Sequence, residues 1–284
     1  MKLTIIGPGL IGGSLAKDLR ARGFAKHIIG VDNNSVNAKQ AVELGIVDEA
    51  RPFAEAVKAA DVVLVCVPVD VIEKILPSVL DTINSNAVVI DLGSTKSAIC
   101  KAVEKHPKRK QFVAAHPIAG TENSGPSAAI NNLFDNKTCI ICEQDLSSKE
   151  ALSVAQKLFG ALKMNLIYME ANEHDIHLAY ISHLPHVISF AMVNTVLEAE
   201  KDFKSLFNLA GSGFASLTRL AKSSPDMWTP IFRQNSENVI NSIDAYISEL
   251  ELFKQLVKKK DSTMLHQMME RSNEVRKVLP ADKK

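Results

Sequence analysis

Short apolar runs alternate with amphipathic stretches along the first 170 residues of the chain. The run at 61–68 is apolar almost throughout, which is typical of a parallel strand that is covered on both faces. The stretches between the runs carry apolar residues at helical spacing. The pattern predicts strands at 2–6, 27–32, 61–68, 87–91, 112–115, 138–142 and 165–169, with helices at 36–44, 54–60, 70–83, 96–105 and 149–162. Such alternation predicts an α/β fold class with a doubly wound, mostly parallel sheet over residues 1–170.

The pattern changes at residue 171, because no good strand follows it. Helical spacing predicts long helices at 173–200 and 227–259, shorter ones within 205–221, and a last one at 262–278. Residues 171–284 are therefore predicted to form an all-helical C-terminal domain. Long helices with apolar stripes in so small a unit favour a homodimer that forms through this domain. The alternative is a monomer whose helices pack only on their own sheet domain.

A glycine-rich turn follows the first predicted strand and opens the first helix. Its pattern, G-x-G-x-x-G, binds dinucleotides when it stands between a strand and a helix. Asp32 ends the next strand, where a carboxylate hydrogen-bonds the ribose hydroxyls and repels a 2′-phosphate. The turn and this carboxylate predict a Rossmann-type domain that binds NAD rather than NADP; the alternative is a structural turn and a helix-capping aspartate. The predicted cofactor-binding residues are Gly7, Gly9, Leu10, Ile11, Gly12, Asp32, Val67 and Pro68.

The composition is ordinary for a globular protein, with 46% apolar and 23% charged residues among 284. A formal net charge of +1 gives no general attraction to nucleic acid or to anionic membranes. No apolar run is expected to be long enough to span a bilayer. The first strand begins at once and leaves no room for a signal peptide, so a cytoplasmic location is expected.

The four cysteines are not expected to form a disulfide framework in a chain of this size. Cys139 and Cys142 have the spacing of a redox pair, but they lie in an apolar, strand-like run. Side chains three positions apart on a strand point to opposite faces. We therefore expect packing residues rather than reactive thiols.

Two polar side chains follow the carboxyl ends of predicted strands, where open parallel sheets bind their ligands. Ser94 could hydrogen-bond a substrate hydroxyl or the nicotinamide; its alternative role is to cap the helix at 96–105. His116 is well placed to accept a proton near neutral pH; its alternative is a satisfied loop histidine. Thr121 lies in a polar loop that is expected to cover the pocket.

The helical domain adds histidines and an arginine. The pairs 174/177 and 183/186 have the spacing of half a metal site, but no cysteine or carboxylate completes them convincingly, so no metal is predicted. A substrate anion is a better partner for these histidines, especially if Arg219 lies nearby. A guanidinium can hold a carboxylate bidentately. The alternative for Arg219 is a surface or interdomain ion pair.

At these residues the chain resembles the prephenate dehydrogenases of tyrosine biosynthesis. The stretches that carry the resemblance are 7–14, Asp91-x-x-Ser94-x-Lys96, 116–125, 182–186, 213–219 and Pro225-x-Met227-Trp228. They cover residues 1 to about 235; those at 116–125 and 182–186 are specific, whereas the glycine turn is shared by many dehydrogenases. The resemblance implies NAD-dependent oxidative decarboxylation of prephenate to 4-hydroxyphenylpyruvate, carbon dioxide and NADH.

The resemblance also implies roles for individual residues. His116 accepts the hydrogen bond, and then the proton, of the ring hydroxyl, and Ser94 orients the same hydroxyl. Carboxylates of the substrate are held by His186 and Arg219. Thr121 and His183 complete the predicted substrate-binding residues.

Ala215-Ser216 and Ser224-Pro225 depart from the pattern of many relatives, which leaves arogenate open as the substrate. Another alternative is a dehydrogenase of β-hydroxy acids, but these rely on a lysine in the first long helix of the second domain, and 173–200 contains none. A third is a regulatory protein that binds NAD without catalysis. Such a protein would not need to keep Ser94, His116, His186 and Arg219 together.

Overall fold

The computed structural model describes residues 1–203 and 205–278; Lys204 and the predicted helical domain's last residues, 279–284, lie outside it. The strands are β1 Lys2–Ile6, β2 His27–Val31, β3 Glu49–Ala50, β4 Val62–Val65, β5 Val88–Asp91, β6 Phe112–Pro117, β7 Thr138–Cys142 and β8 Asn165–Met169. The helices are α1 Leu10–Ala21, α2 Ser35–Glu43, α3 Phe53–Ala59, α4 Val69–Thr82, α5 Ser97–Ala102, α6 Lys149–Ala161, α7 Ala171–Leu178, α8 Leu184–Asp202, α9 Ser212–Thr218, α10 Pro225–Gln234, α11 Ser236–Lys259 and α12 Ser262–Ser272.

The strands form one sheet of eight strands in the order β3-β2-β1-β4-β5-β6-β7-β8. All neighbours are parallel except β6 and β7, which are antiparallel. This confirms the predicted doubly wound, mostly parallel sheet. The order reverses at β1, which pairs with β2 on one side and β4 on the other. A crevice for ligands is expected beyond the carboxyl end of β1, at this switch point.

Strand β3 was not predicted. It pairs with residues 29 and 30 at the edge of the sheet and has only two residues. So short a strand carries no periodicity of its own, because alternation needs several residues to show.

The inner strands are apolar on both faces, and alternate side chains enter different halves of the core. Leu64 belongs to one buried cluster, whereas its neighbours Val63 and Val65 belong to the other. Cys139 and Cys142 divide in the same way, one into each cluster. Burial raises the pKa of both thiols. The prediction that these cysteines are packing residues on opposite faces is confirmed, and neither forms a disulfide.

The second half of the described chain is helical, as predicted, but the long helix expected at 173–200 is not uniform. It consists of α7, a π-helical turn over Ala179–His183, and α8. Pro185 lies in the first turn of α8. Because proline has no N–H and its ring crowds the preceding turn, the wider π turn accommodates it within a continuous helical stretch.

The helix expected at 227–259 is wrong as a single element, since it breaks between α10 and α11 at Asn235. The Asn235 side chain is buried, and its Nδ2 donates a hydrogen bond of 2.7 Å to the main-chain carbonyl of Asp175. An asparagine that bonds to main-chain groups of another helix competes with continuation of its own helix. Apolar spacing alone continues across this residue and therefore does not reveal the break.

Packing divides the chain into two compact units, Met1–Ser236 and Glu237–Lys284. The first contains the whole sheet and the helices through α10. The second consists of most of α11, together with α12. The predicted division into domains 1–170 and 171–284 stays a prediction.

One helical stretch of the described residues, Ala171–Asp202, is long and apolar enough to cross a membrane by length and composition. The expectation that no stretch meets this criterion was wrong. The criterion is weak evidence, because core helices of water-soluble proteins also satisfy it. In this stretch His174, Asp175 and His183 are buried within the fold and hydrogen-bonded to other protein groups.

The glycine turn makes a direct prediction about stability. A Cβ on Gly12 would lie 2.3 Å from the Gly7 carbonyl oxygen and 2.8 Å from Ile5 Cγ2. We expect Gly12→Ala to destabilise the protein by about 1–3 kcal/mol, measured by urea unfolding, because backbone must shift to make room.

Gly160 in α6 provides the matched control, since a Cβ there meets nothing within 4 Å. Gly160→Ala should stabilise the protein by about 0.5–1 kcal/mol through helix propensity. Equal stability of the two variants would contradict the tight packing described for Gly12.

Candidate active site

The glycine turn lies at the switch point of the sheet and has an open face. Gly7 has φ +89°, and a Cβ there would lie 2.7 Å from the Cys66 carbonyl oxygen. By contrast, a Cβ on Gly9 would meet only Gly125 atoms, at 3.9 Å or more. Gly9 precedes α1, and no side chain caps the helix. The first turn of α1 therefore offers N–H groups and free space to a pyrophosphate, and the turn fits a dinucleotide.

The other predicted cofactor residues lie around this turn. Asp32 directly follows β2, next to β1 in the sheet, and its Oδ1 accepts a hydrogen bond of 2.9 Å from Asn34 N–H. Val67 and Pro68 follow β4 on the other side. Val67 Cγ1 would lie 2.8 Å from a Cβ on Gly7. These residues flank the crevice from both sides, as a dinucleotide site at a switch point requires.

A pocket of about 390 Å³ lies next to the glycine turn. Predicted site residues from distant parts of the sequence line it together: Leu10, Ile11, Ser94, His116, Thr121, His186 and Arg219. Parallel strands bring their carboxyl ends to one edge of the sheet, which is why Ser94, just after β5, and His116, near the end of β6, meet here.

His116 ends a hydrogen-bonded chain of side chains. Its Nδ1 lies 2.8 Å from His174 Nε2, and His174 Nδ1 lies 2.8 Å from Asp175 Oδ1. Burial, reinforced by repulsion from His174, Lys96 and His183, holds the pKa of His116 well below its ordinary value of 6.5. A neutral imidazole at the wall of a pocket can accept a proton from a bound ligand.

The sequence pattern does not indicate the roles of His174 and Asp175. Helical spacing pairs His174 with His177, as half of a possible metal site. The structure leaves His177 exposed and buries His174 with both ring nitrogens engaged. In the described parts of the chain no group of three or more His, Cys, Asp or Glu side chains could hold a metal ion.

Asp175 also caps α5. Its Oδ1 accepts a hydrogen bond of 2.8 Å from Lys96 N–H, and its Oδ2 accepts one of 2.9 Å from Ser97 N–H. Burial alone would raise the pKa of this carboxyl, but hydrogen bonds from His174 and the two amides hold it below its ordinary value. Ser94, the predicted alternative cap, lies before the start of α5, half-buried at the pocket wall.

His186 and Arg219 lie on the helical side of the pocket. The His186 ring stacks on Trp228 with 3.6 Å between centroids, and its Nδ1 lies 2.9 Å from the Ser182 carbonyl oxygen. The Arg219 side chain is 60% exposed, and its nearest carboxylate is Glu122 at 4.0 Å. So loose and exposed an ion pair contributes little stability, which leaves the guanidinium available to a ligand.

His183 is not brought to the pocket wall. It is 1% exposed, and its Nδ1 lies 3.2 Å from Asn235 Nδ2. Burial lowers its pKa to about 4. Its ring packs against the edge of Trp228, with 5.8 Å between centroids. His183 thus packs against Trp228, which lines the pocket, but does not line the pocket itself. Its contact with substrate stays a prediction that this geometry does not favour.

The fold and the pocket together define the class: a nucleotide-dependent dehydrogenase with a helical second part. Comparison with known proteins agrees. Residues 15–168 match the family model "Prephenate dehydrogenase, nucleotide-binding domain", and residues 170–271 match "Prephenate dehydrogenase, dimerization domain". The chain is 32% identical over 289 aligned residues to prephenate dehydrogenase of Bacillus subtilis, which covers 100% of this chain and 78% of the relative. The chain belongs to the prephenate dehydrogenase family.

Solved structures extend the comparison. The structure of prephenate dehydrogenase from A. aeolicus in complex with hydroxyphenyl propionate and NAD+ superposes with a TM-score of 0.90, at 33% identity and with 97% of each chain covered. Arogenate dehydrogenase from Synechocystis gives a TM-score of 0.77 at 29% identity and covers 98% of this chain and 99% of that one. The nucleotide-binding family model and the NAD+ in the first structure support the prediction of NAD as the cofactor.

The buried histidines predict how stability depends on pH. The pKa values of His116, His174, His183 and His186 all lie below 6.5, with burial as the largest cause. The unfolded chain therefore binds protons near pH 6 that the folded protein does not, so stability falls as pH drops below 6.5. Urea unfolding should show a loss of about 2 kcal/mol or more between pH 7 and pH 5.

The variant His183→Gln removes one of these titrating groups, so its stability should change less over the same range. A free energy of unfolding that stays constant from pH 7 to pH 5 would contradict the neutral, buried state of these rings.

Proposed function

We propose that the protein catalyses the NAD-dependent oxidative decarboxylation of prephenate to 4-hydroxyphenylpyruvate, within tyrosine biosynthesis. The observation that carries this proposal is a neutral, buried His116 in one pocket with Arg219, directly beside the glycine turn. Oxidising a hydroxyl requires a base, and a dianionic substrate requires a cation. Both groups are present in this pocket at the place where the cofactor site begins.

NAD would be held by Gly7, Gly9 and Gly12 at the start of α1, with Asp32 on the ribose. When bound, NAD supplies the hydride acceptor for the ring carbon that carries the hydroxyl. Leu10 and Ile11 belong both to the turn and to the pocket wall, so the residues that would hold NAD adjoin those that would hold the substrate.

His116 accepts the hydrogen bond and then the proton of the ring hydroxyl as that carbon is oxidised. Ser94 lines the same pocket and orients the hydroxyl. Loss of the ring carboxylate as carbon dioxide makes the ring aromatic, which draws the reaction to completion. Thr121 lines the substrate end of the pocket.

Arg219 is the main anchor for a substrate carboxylate, and His186 is the weaker one. His186 Nδ1 donates to the Ser182 carbonyl, and burial lowers the pKa of the ring. In the neutral ring Nε2 is then an acceptor, so His186 must take up a proton before it can hold a carboxylate. A guanidinium, by contrast, binds a carboxylate without any change of protonation.

The same observation favours a second candidate substrate, arogenate. Its amino group is a donor, and a neutral His186 Nε2 can accept a hydrogen bond from it without any change of protonation. The similarity to an arogenate dehydrogenase from Synechocystis supports this alternative. Arogenate would leave the roles of His116 and Ser94 unchanged and alter only how the substrate side chain is held.

Replacing His116 separates catalysis from cofactor binding. We expect His116→Ala to lower the turnover of prephenate by roughly 10²–10⁴, because the proton has no acceptor, while NAD affinity stays the same. NADH absorbance gives the turnover, and calorimetry gives the affinity for NAD.

The exposed His266 on α12 provides the control, since His266→Ala should change neither quantity. Unchanged turnover in His116→Ala would show that another group is the base. Wild-type protein that binds NAD but oxidises neither substrate would favour the regulatory alternative.

We also propose that the protein is a homodimer and is located in the cytoplasm. The dimerization-domain match supports the first proposal. Within α11, four apolar side chains on one stripe are each at least 50% exposed: Ile240, Ile247, Leu250 and Val257. Their spacing is that of the seam between two packed helices. A second copy of this chain is the occupant that the family match suggests for this stripe.

Leu250→Lys should therefore convert the dimer to monomers at micromolar concentration, measured by light scattering, because it places a charge in the apolar stripe. Leu252 on the same helix is 46% exposed but lies off the stripe, so Leu252→Lys should remain dimeric. Wild-type protein that runs as a monomer would contradict the proposal.

A further inference from the structure

The hydrogen bonds that link His116, His174 and Asp175 all run the same way, each ring donating to the next group along. Asp175 is ionised and can only accept hydrogen bonds, so the proton between Asp175 Oδ1 and His174 Nδ1 belongs to His174. A neutral His174 with its proton on Nδ1 has a lone pair on Nε2. His116 Nδ1, 2.8 Å away, must then carry the proton of that contact.

This assignment leaves His116 Nε2 without a proton. No described residue donates a hydrogen bond to this nitrogen, and His116 lines the pocket. In the opposite tautomer, His116 Nδ1 and His174 Nε2 would present two lone pairs to each other at 2.8 Å. The geometry of the whole chain is satisfied by one arrangement of protons when both rings are neutral.

We propose that His174 and Asp175 are positioning residues that hold His116 in the Nδ1–H tautomer, so that its Nε2 lone pair faces the substrate. This inference rests on the proposed role of His116 as the base, and it names the groups that prepare it. A base whose proton sits on the wrong nitrogen cannot accept another one in the neutral state.

Asp175 couples this chain to the other side of the pocket. The same carboxylate that holds His174 accepts the Lys96 and Ser97 amides, immediately after Ser94 and Thr95. Ser94 and His116 thus have a common anchor, although Ser94 follows β5 and His116 lies on β6. The buried Asp175 carboxylate therefore fixes the position of Ser94, which orients the substrate hydroxyl, relative to His116, which accepts the proton.

The tautomer can be observed directly in the protein without substrate. In protein labelled with ¹⁵N at histidine, long-range ¹H–¹⁵N spectra at pH 7.5 distinguish Nδ1–H from Nε2–H rings, and loss of a signal in His116→Gln assigns His116. We expect the Nδ1–H pattern for His116. An Nε2–H pattern in the wild-type protein would overturn the inference, whatever the substrate turns out to be.

Two variants at position 174 test the consequence for catalysis. His174→Phe fills the space but accepts no hydrogen bond, so His116 should lose the Nδ1–H pattern and kcat should fall roughly 10²-fold. His174→Gln offers an amide oxygen to His116 Nδ1 and should restore the pattern and at least a tenth of wild-type kcat. KM for NAD should change little in either variant, because the glycine turn is untouched.

His177→Phe on the exposed side of α7 is the matched control and should behave as wild type. Thermal unfolding of each variant separates loss of the tautomer from loss of the fold. Equal losses of kcat in His174→Phe and His174→Gln would overturn the inference. If the wild-type protein oxidises neither prephenate nor arogenate, the proposed function fails, and the wild-type spectrum still decides the tautomer.

Discussion

The buried carboxylate of Asp175 is the constraint on which the site depends. It is 2% exposed and accepts hydrogen bonds from His174 and from the Lys96 and Ser97 amides. An ionised carboxylate inside a protein is costly unless such donors surround it. Because the carboxylate accepts hydrogen bonds both from the start of α5 and from the histidine behind His116, one group fixes α5 and the histidine chain together.

A buried ion pair adds a second constraint near the same residues. Lys96 is fully buried, and its Nζ donates to the Asp91 carboxylate and, over 2.9 Å, to the Ala115 carbonyl. Asp91 ends β5, and Ala115 precedes His116 on β6. The pair therefore ties together the two strand ends that carry Ser94 and His116. Removing either partner would leave an unpaired buried charge, which typically costs about 3–5 kcal/mol.

The sheet was predictable because its inner strands are apolar on both faces. Its glycine turn was predictable because G-x-G-x-x-G between a strand and a helix is typical of a dinucleotide site. The motifs around Ser94, His116 and Arg219 were predictable for a related reason: parallel strands bring their carboxyl ends together, and the family pattern names the same residues.

Local patterns failed where distant contacts decide the structure. The break at Asn235 depends on a hydrogen bond to the main chain of Asp175, 60 residues away in sequence. The pairing of His174 with His116 spans 58 residues, so helical spacing suggested His177 as its partner instead.

We propose that this pocket oxidises a hydroxylated ring acid with NAD. The decisive measurement is NADH formation by the purified protein, with prephenate and arogenate offered in parallel at pH 7.5. We predict turnover of prephenate with release of carbon dioxide in equal amount. A strong preference for arogenate would make arogenate the substrate, with its amino group donating a hydrogen bond to His186. If protein that binds NAD formed no NADH with either substrate, the proposed dehydrogenase activity would be wrong.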